Sequence, residues 1–294
     1  MKLTNATKSD CILVCVTLLA AAGWIFSKEA LFGLPPLLFI GSRFLIAGLV
    51  LAAFGWKPLM ALGRRGLLRT ALVGVSFGFA MIFWILGLNY ANHIGVGAFI
   101  TSLGVILVPV VALFFGDKPT KAVWMSLPFA LAGLAALSLD SHFVIGFGEV
   151  AFLLAAALFA VTFNLNSRAA AKTSPVALAA VQLVVVGLVA LPVSFVLETW
   201  TLDVANSIWW WFFASIFIAT SLRFFMQTWA QSLSSASNAA VIMTLEPVWT
   251  AMLAAVWFSE TMSGMQLLGC MLIFSALLVS RWRSVRQVLR ALCK

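Results

Sequence analysis

Arg223 and Glu246 are charged residues set inside long apolar runs. A charge at the centre of a bilayer costs about 2.5–3.5 kcal/mol on insertion scales, so such residues are retained for a partner or a purpose. A guanidinium can receive a carboxylate, and a carboxylate can receive an ammonium group or a proton. The two could equally form a structural ion pair, and both roles hold together if a ligand competes for the pair. Arg223, Gln227 and Gln231 recur every four residues and so line one helix face. A polar stripe within a span belongs against protein or water rather than lipid. Gln182, Asn164 and Asn166 invite the same argument with less force, because single amides also serve as glue between helices. Ser102, Thr244 and Thr101 can bond their own backbone, and of these Thr101 is kept as a cavity candidate.

Many of the 25 Phe and 12 Trp must face lipid or pack between helices. Trp24, Phe79, Phe83, Trp84, Phe224 and Trp249 lie deep in their runs. Trp24, Trp84 and Trp249 are candidates for an aromatic wall that holds apolar or cationic cargo by stacking and cation–π contact. Lys28, one turn beyond Trp24, is a further candidate. Its alternative is snorkelling to headgroups with Glu29 as partner, and snorkelling is also the expectation for Arg43. The candidate binding set is therefore Trp24, Lys28, Trp84, Thr101, Asn164, Gln182, Arg223, Gln227, Glu246 and Trp249, with Glu246 the candidate for proton coupling.

Helices in a membrane must position these residues. The chain is 63% hydrophobic and 9% charged, where soluble domains carry about a quarter charged residues. That excludes a soluble enzyme, a disordered binder and a disulfide scaffold. A spanning helix needs about 20 mostly apolar residues. Ten windows fit, at approximately 11–31, 36–55, 70–88, 93–115, 122–139, 149–167, 175–197, 207–230, 238–258 and 264–282. The fold expected is an all-α integral membrane protein. Ala20 and Ala22 imitate a signal-peptide cleavage pattern, but another span comes at once, so the first helix is expected to be retained. Trp209, Trp210 and Trp211 suit an interfacial belt. Pro109 and Pro247 are expected to interrupt the fourth and ninth helices.

With the N-terminus cytoplasmic, 15 of the 18 Lys and Arg fall on that side. The exceptions are Lys28, Arg43 and Arg223. The opposite connections hold Asp140, Glu149, Glu198, Asp203 and Glu260 without Lys or Arg, a strong positive-inside pattern. Both termini are thus expected in the cytoplasm, with the chain in a bacterial-type cytoplasmic (inner) membrane. Topology and anionic headgroups account for the net charge of +9, so no nucleic acid is expected. His93 and His142 lie in or beside connections, and Asp10, Asp117, Asp140 and Asp203 fall outside the windows. Neither H-E-x-x-H nor G-x-x-x-x-G-K-[ST] occurs. No enzyme, cofactor or metal is expected. Cys11, Cys15, Cys270 and Cys293 lack metal-ligand spacing; Cys11 and Cys15 read as packing residues, and no disulfide is expected.

Shifting the chain by about 143 positions overlays one half on the other: Ala91 meets Ser234, Thr101 meets Thr244 and Asp117 meets Glu260. Arg223 and Glu246 then fall on Ala80 and Leu103, so any charged site is asymmetric. Five spans per half is an odd number, which requires opposite insertion of the two halves, residues 1–140 and 141–294. Inverted repeats commonly place a substrate site near the midplane.

Residues 98–103 (AFITSL), Val108-Pro109 and 116–120 (GDKPT) in the first half carry a resemblance, with residues 227–231 (QTWAQ), 245–249 (LEPVW) and 266–269 (QLLG) in the second. So does Pro35-Pro36 with Arg43-Phe44. Together these stretches resemble the EamA-type proteins of the drug/metabolite transporter superfamily over nearly the whole chain. The resemblance implies ten transmembrane helices as two inverted five-helix repeats, and transport of small metabolites such as amino acids, frequently outward. The expectation is a secondary transporter working by alternating access around a central cavity, driven by the cargo gradient or by protons through Glu246. Alternatives are multidrug or cationic compound efflux, or import of a vitamin or metabolite by the same fold. A structural subunit and a channel are further options. Expected partners are a small-molecule substrate and the lipid bilayer, with monomer or homodimer both open.

Overall fold

A computed structural model describes residues 5–90, 94–138, 146–200, 204–257 and 263–280. Lys2, His93, Asp140, His142, Asp203, Glu260 and the basic tail from Arg281 to Lys294, with Cys293, lie outside these residues. The described chain is helical: α1 Asn5–Ala30, α2 Pro36–Phe54, α3 Trp56–Met60, α4 Arg64–Tyr90, α5 Ile94–Phe114, α6 Lys121–Ser138, α7 Phe147–Ala170, α8 Pro175–Leu197, α9 Asn206–Ile216, α10 Arg223–Leu233, α11 Ala236–Met243, α12 Glu246–Trp257 and α13 Gly264–Ser280. Helix covers most of the described part of each of the ten apolar windows. Among the described residues, six helical stretches are long and apolar enough to cross a membrane.

Two departures from α geometry matter. Phe217–Leu222 is a π-helical turn joining α9 to α10 without a break in the helical path. Thr244 and Leu245 form a tight turn between α11 and α12, their amides donating to the carbonyls of Val241 and Ile242. Pro247 explains the second. It has no N–H for the carbonyl of Met243, the last residue of α11, and its ring would clash there. Pro109 behaves otherwise than expected: α5 runs through it unbroken, as α6 does through Pro128. Neighbouring helices and local adjustment tolerate a spanning proline.

Closest packing joins α2 to α8 and α6 to α13, with α4 against α7 and α8, α5 against α7, and α1 across α9 to α12. Small residues make this possible. A Cβ on Gly48 would lie 2.5 Å from the backbone nitrogen of Val184, and one on Gly187 2.6 Å from Leu45 Cβ. Lipid tails are as apolar as leucine, so such backbone-level contact is a main attraction between spanning helices. Glu198, just past α8, caps α2: its carboxylate accepts from the amides of Leu37 at 2.7 Å and Leu38 at 2.8 Å, and from Ser194 Oγ at 2.7 Å. Pro35 and Pro36 leave the first turn without an internal cap, and the anion suits the helix N-terminus. Cys11 and Cys15 do not pack as expected; both are exposed on the outer flank of α1.

Gly48→Ala is expected to lower the unfolding midpoint in detergent, at a cost of about 1–3 kcal/mol from overpacking. Gly63→Ala, whose added Cβ would meet nothing within 4 Å, should melt as the parent does.

Candidate functional site

Both irregular turns end at a charged residue. The π turn delivers Arg223 as the first residue of α10, and the proline break delivers Glu246 as the first residue of α12. A carboxylate at a helix N-terminus is favoured by the unpaired amides there. The two side chains meet, Arg223 Nη2 lying 3.5 Å from Glu246 Oε2. The other oxygen, Oε1, accepts from Trp24 Nε1 at 3.2 Å. Each carboxylate oxygen thus has its own donor, one from α10 and one from α1. Phe224 floors the Arg223 guanidinium, 4.5 Å from ring centroid to Cζ, and Trp84 meets Trp24 edge to face at 5.0 Å.

The pair is not sealed. The side chains of Arg223 and Glu246 remain 18% and 24% accessible. Arg223 Nε is buried without a hydrogen-bond partner, and so is Gln227 Oε1 one turn along α10. A buried polar group left unpaired costs about 1–3 kcal/mol, so an unused donor and an unused acceptor beside an accessible ion pair can be offset by a ligand that supplies both. Chemically, the arrangement can take a carboxylate on Arg223, an ammonium group or proton on Glu246, and an apolar body against the indoles.

The other expected residues divide. Trp249 is near but differently engaged, donating to Thr17 Oγ1 at 3.2 Å and so tying α12 to α1 a second time. Gln231 is paired with Asn166 of α7. Asn164 works as helix glue, its Nδ2 donating to the carbonyls of Val108 at 3.0 Å and Ala160 at 2.9 Å. Gln182 and Thr101 are brought to no part of the ion pair, and each keeps a buried oxygen without a partner. Lys28 is exposed in the last turn of α1, where a cation suits the helix C-terminus. Phe79, deep in its apolar run but outside the candidate set, is 49% exposed.

Arg43 overturns the snorkelling expectation. It is 7% exposed, and its guanidinium turns into the bundle to meet Thr220 Oγ1, Ser27 Oγ and the carbonyl of Ala219. Acceptors from α1 and the π turn outweigh the cost of keeping the cation from headgroups. Sequence reasoning missed this set; the only signal was the coincidence of hydroxyls at Ser27 and Thr220 in otherwise apolar runs. Asp117 also gains a role, pairing with Arg168 at 3.2 Å between the α5–α6 connection and the end of α7.

Comparison with known proteins agrees with this architecture. The family model of EamA-like transporters matches residues 7–139 and again 146–282. An uncharacterized transporter of Archaeoglobus fulgidus is 27% identical over 274 residues, spanning 92% of this chain and 85% of the relative. A solved crystal structure superposes with a TM-score of 0.77 at 21% identity, covering 92% of this chain and 96% of that one. At that identity the likeness speaks for the fold alone.

Removing one member of the ion pair strands the other. Arg223→Met and Glu246→Leu are each expected to cost on the order of 1–3 kcal/mol, whereas the double variant should melt above either single. Thermal unfolding of the three variants and the parent in one detergent checks this.

Proposed function

This chain belongs to the EamA-like transporter family and is a membrane transporter, and from that premise we propose that it exports a small zwitterionic metabolite, of the amino-acid class, through the Arg223–Glu246 site. The observation that carries the reading is the accessible ion pair flanked by the unpaired Arg223 Nε and Gln227 Oε1. A zwitterion replaces both internal charges at once, so neither is left bare when the pair opens. Arg43 meets Thr220, three residues before Arg223, so a second cation stands beside the site. Two cations and one carboxylate then disfavour a purely cationic cargo, which argues against the drug-efflux alternative.

Residues 1–140 and 141–294 form two inverted five-helix repeats that rock around this site, with both termini cytoplasmic in an inner membrane. The packing supports a twofold relation between the halves. Under the repeat shift, α2 exchanges with α8, and α6 with α13, and these are the two closest pairs. The pairing of α4 with α7 likewise exchanges with that of α9 and α10 with α1. Positive-inside charge supports the orientation. Glu246 carries the coupling proton: protonated, it gives up the attraction of Arg223, and the pair is free to open toward cargo.

Counterflow of labelled amino acids in proteoliposomes tests the proposal. Arg223→Gln is expected to raise the half-saturating concentration about tenfold or more, the loss of one charged hydrogen bond. Glu246→Gln should keep exchange but lose its response to an imposed pH gradient. A Glu246→Gln variant that tracks the gradient like the parent overturns the coupling role, and preferential uptake of a quaternary ammonium probe overturns the zwitterion reading.

A further inference from the structure

Arg43 is a buried cation on α2 that meets no carboxylate within ion-pair distance among the described residues. Such a charge is costly unless its donors are matched. Here each of its three nitrogens finds an oxygen, drawn from two other elements. Nε donates to Thr220 Oγ1, Nη2 to the carbonyl of Ala219 at 3.4 Å, and Nη1 to Ser27 Oγ of α1 at 2.8 Å. The rings of Phe39 and Phe44 lie 5.5 and 5.7 Å from Cζ and spread the charge further.

Two of those three acceptors belong to the π turn. A π turn widens the helix, disturbs its regular ladder and persists where something outside the ladder supports it. Thr220 Oγ1 donates onward to the carbonyl of Ser215, five residues back, at 2.8 Å. Ser27 Oγ donates to the carbonyl of Gly23 at 2.6 Å. At Gly23, α1 presses against the wide turn: a Cβ there would lie 2.8 Å from Ala219 Cβ. The network around Arg43 is thus closed, in contrast to the Arg223 and Gln227 pair with its unused donor and acceptor. A closed network holds shape; it does not wait for cargo.

The turn also fixes the direction of the side chains beyond it. One inserted residue rotates the rest of a helix by about 100°, and Arg223 is the first residue after the insertion, with Gln227 and Gln231 on the same face. We infer that Arg43 is the positioning residue of the Arg223–Glu246 site: from α2 it holds the π turn at Phe217–Leu222, and that turn aims Arg223 at Glu246. This rests on the transport reading only for the use made of Arg223. The geometric claim stands without any cargo.

The test uses the full chain with its four cysteines replaced by serine, carrying Arg223→Cys, and reads the rate of modification by a charged methanethiosulfonate in proteoliposomes. Against the intact Arg43 background, Thr220→Val, which removes one buried charged hydrogen bond, is expected to change the rate about tenfold, and Arg43→Met, which removes that bond and two more, by at least as much. The double change should move it no further than the larger single, because Arg43→Met already removes the contact through which Thr220→Val acts. Ser126→Cys on α6, read separately in the same backgrounds, should keep its slow rate. Thr220→Ser, which retains the hydroxyl, should behave as the parent and keeps the test open if Arg43→Met does not fold. A rate within about twofold of the parent in Thr220→Val, or two changes that multiply, overturns the inference. So does an equal change at position 126, which would mark a general loosening. Absence of amino-acid counterflow in the parent, which keeps Arg223, together with the expected labelling pattern in the Arg223→Cys chain would sink the transport reading and leave this one standing.

Discussion

Backbone amides and carbonyls inside hydrocarbon have no water to turn to, so every departure from the α-helical ladder must be satisfied from within the protein. This constraint makes irregular backbone informative. The π turn is supplied by Arg43 and Thr220, and the break before α12 by short turns from Thr244 and Leu245. Each departure stands immediately before a charged residue. In both places the chain gives up regular bonding, and the next side chain is set at an angle the ladder would not produce.

The regular parts provide the frame against which those angles hold. Where α2 meets α8, backbone lies almost on backbone at Gly48 and Gly187, leaving no slack for sliding. Glu198 locks one end of the same pair by capping α2 from beyond α8. By contrast α1 meets α12 through side chains, with Trp24 on Glu246 and Trp249 on Thr17. Indole hydrogen bonds can be exchanged without opening a void, whereas a glycine seam cannot shift without one. The molecule therefore couples a stiff seam to a seam built from replaceable contacts, and the ion pair sits on the second.

Arg223 and Glu246 were legible in the sequence because charge in an apolar run has few explanations, and the four-residue spacing of Gln227 and Gln231 gave the face. The helices were legible from apolar length alone. Arg43 was misread because its three acceptors come from α1 and the π turn, distant in sequence, while its position near the end of a window suggested a headgroup. The π turn itself left no mark, since Phe217–Leu222 contains neither Pro nor Gly. Phe79 shows why the aromatic wall was assigned to three indoles alone: lipid and a cavity wall both accept phenylalanine, and this ring is exposed. Pro109 and Pro247 show the limit of residue type, for one is absorbed within α5 and the other breaks its helix.

The two halves resemble each other in packing but not in chemistry. In α4 and α5 the helices run unbroken past the positions that correspond to Arg223 and Glu246, which hold Ala80 and Leu103. The second half carries the irregular turns, the charges and the polar stripe; the first contributes Trp24, Trp84 and Arg43 to support them. Similar packing leaves each half free to carry different side chains, so an ion pair of two unlike groups needs no counterpart in the first half. Arg223 and Glu246 both lie in the second half, where the π turn and the proline break set their side chains toward one another.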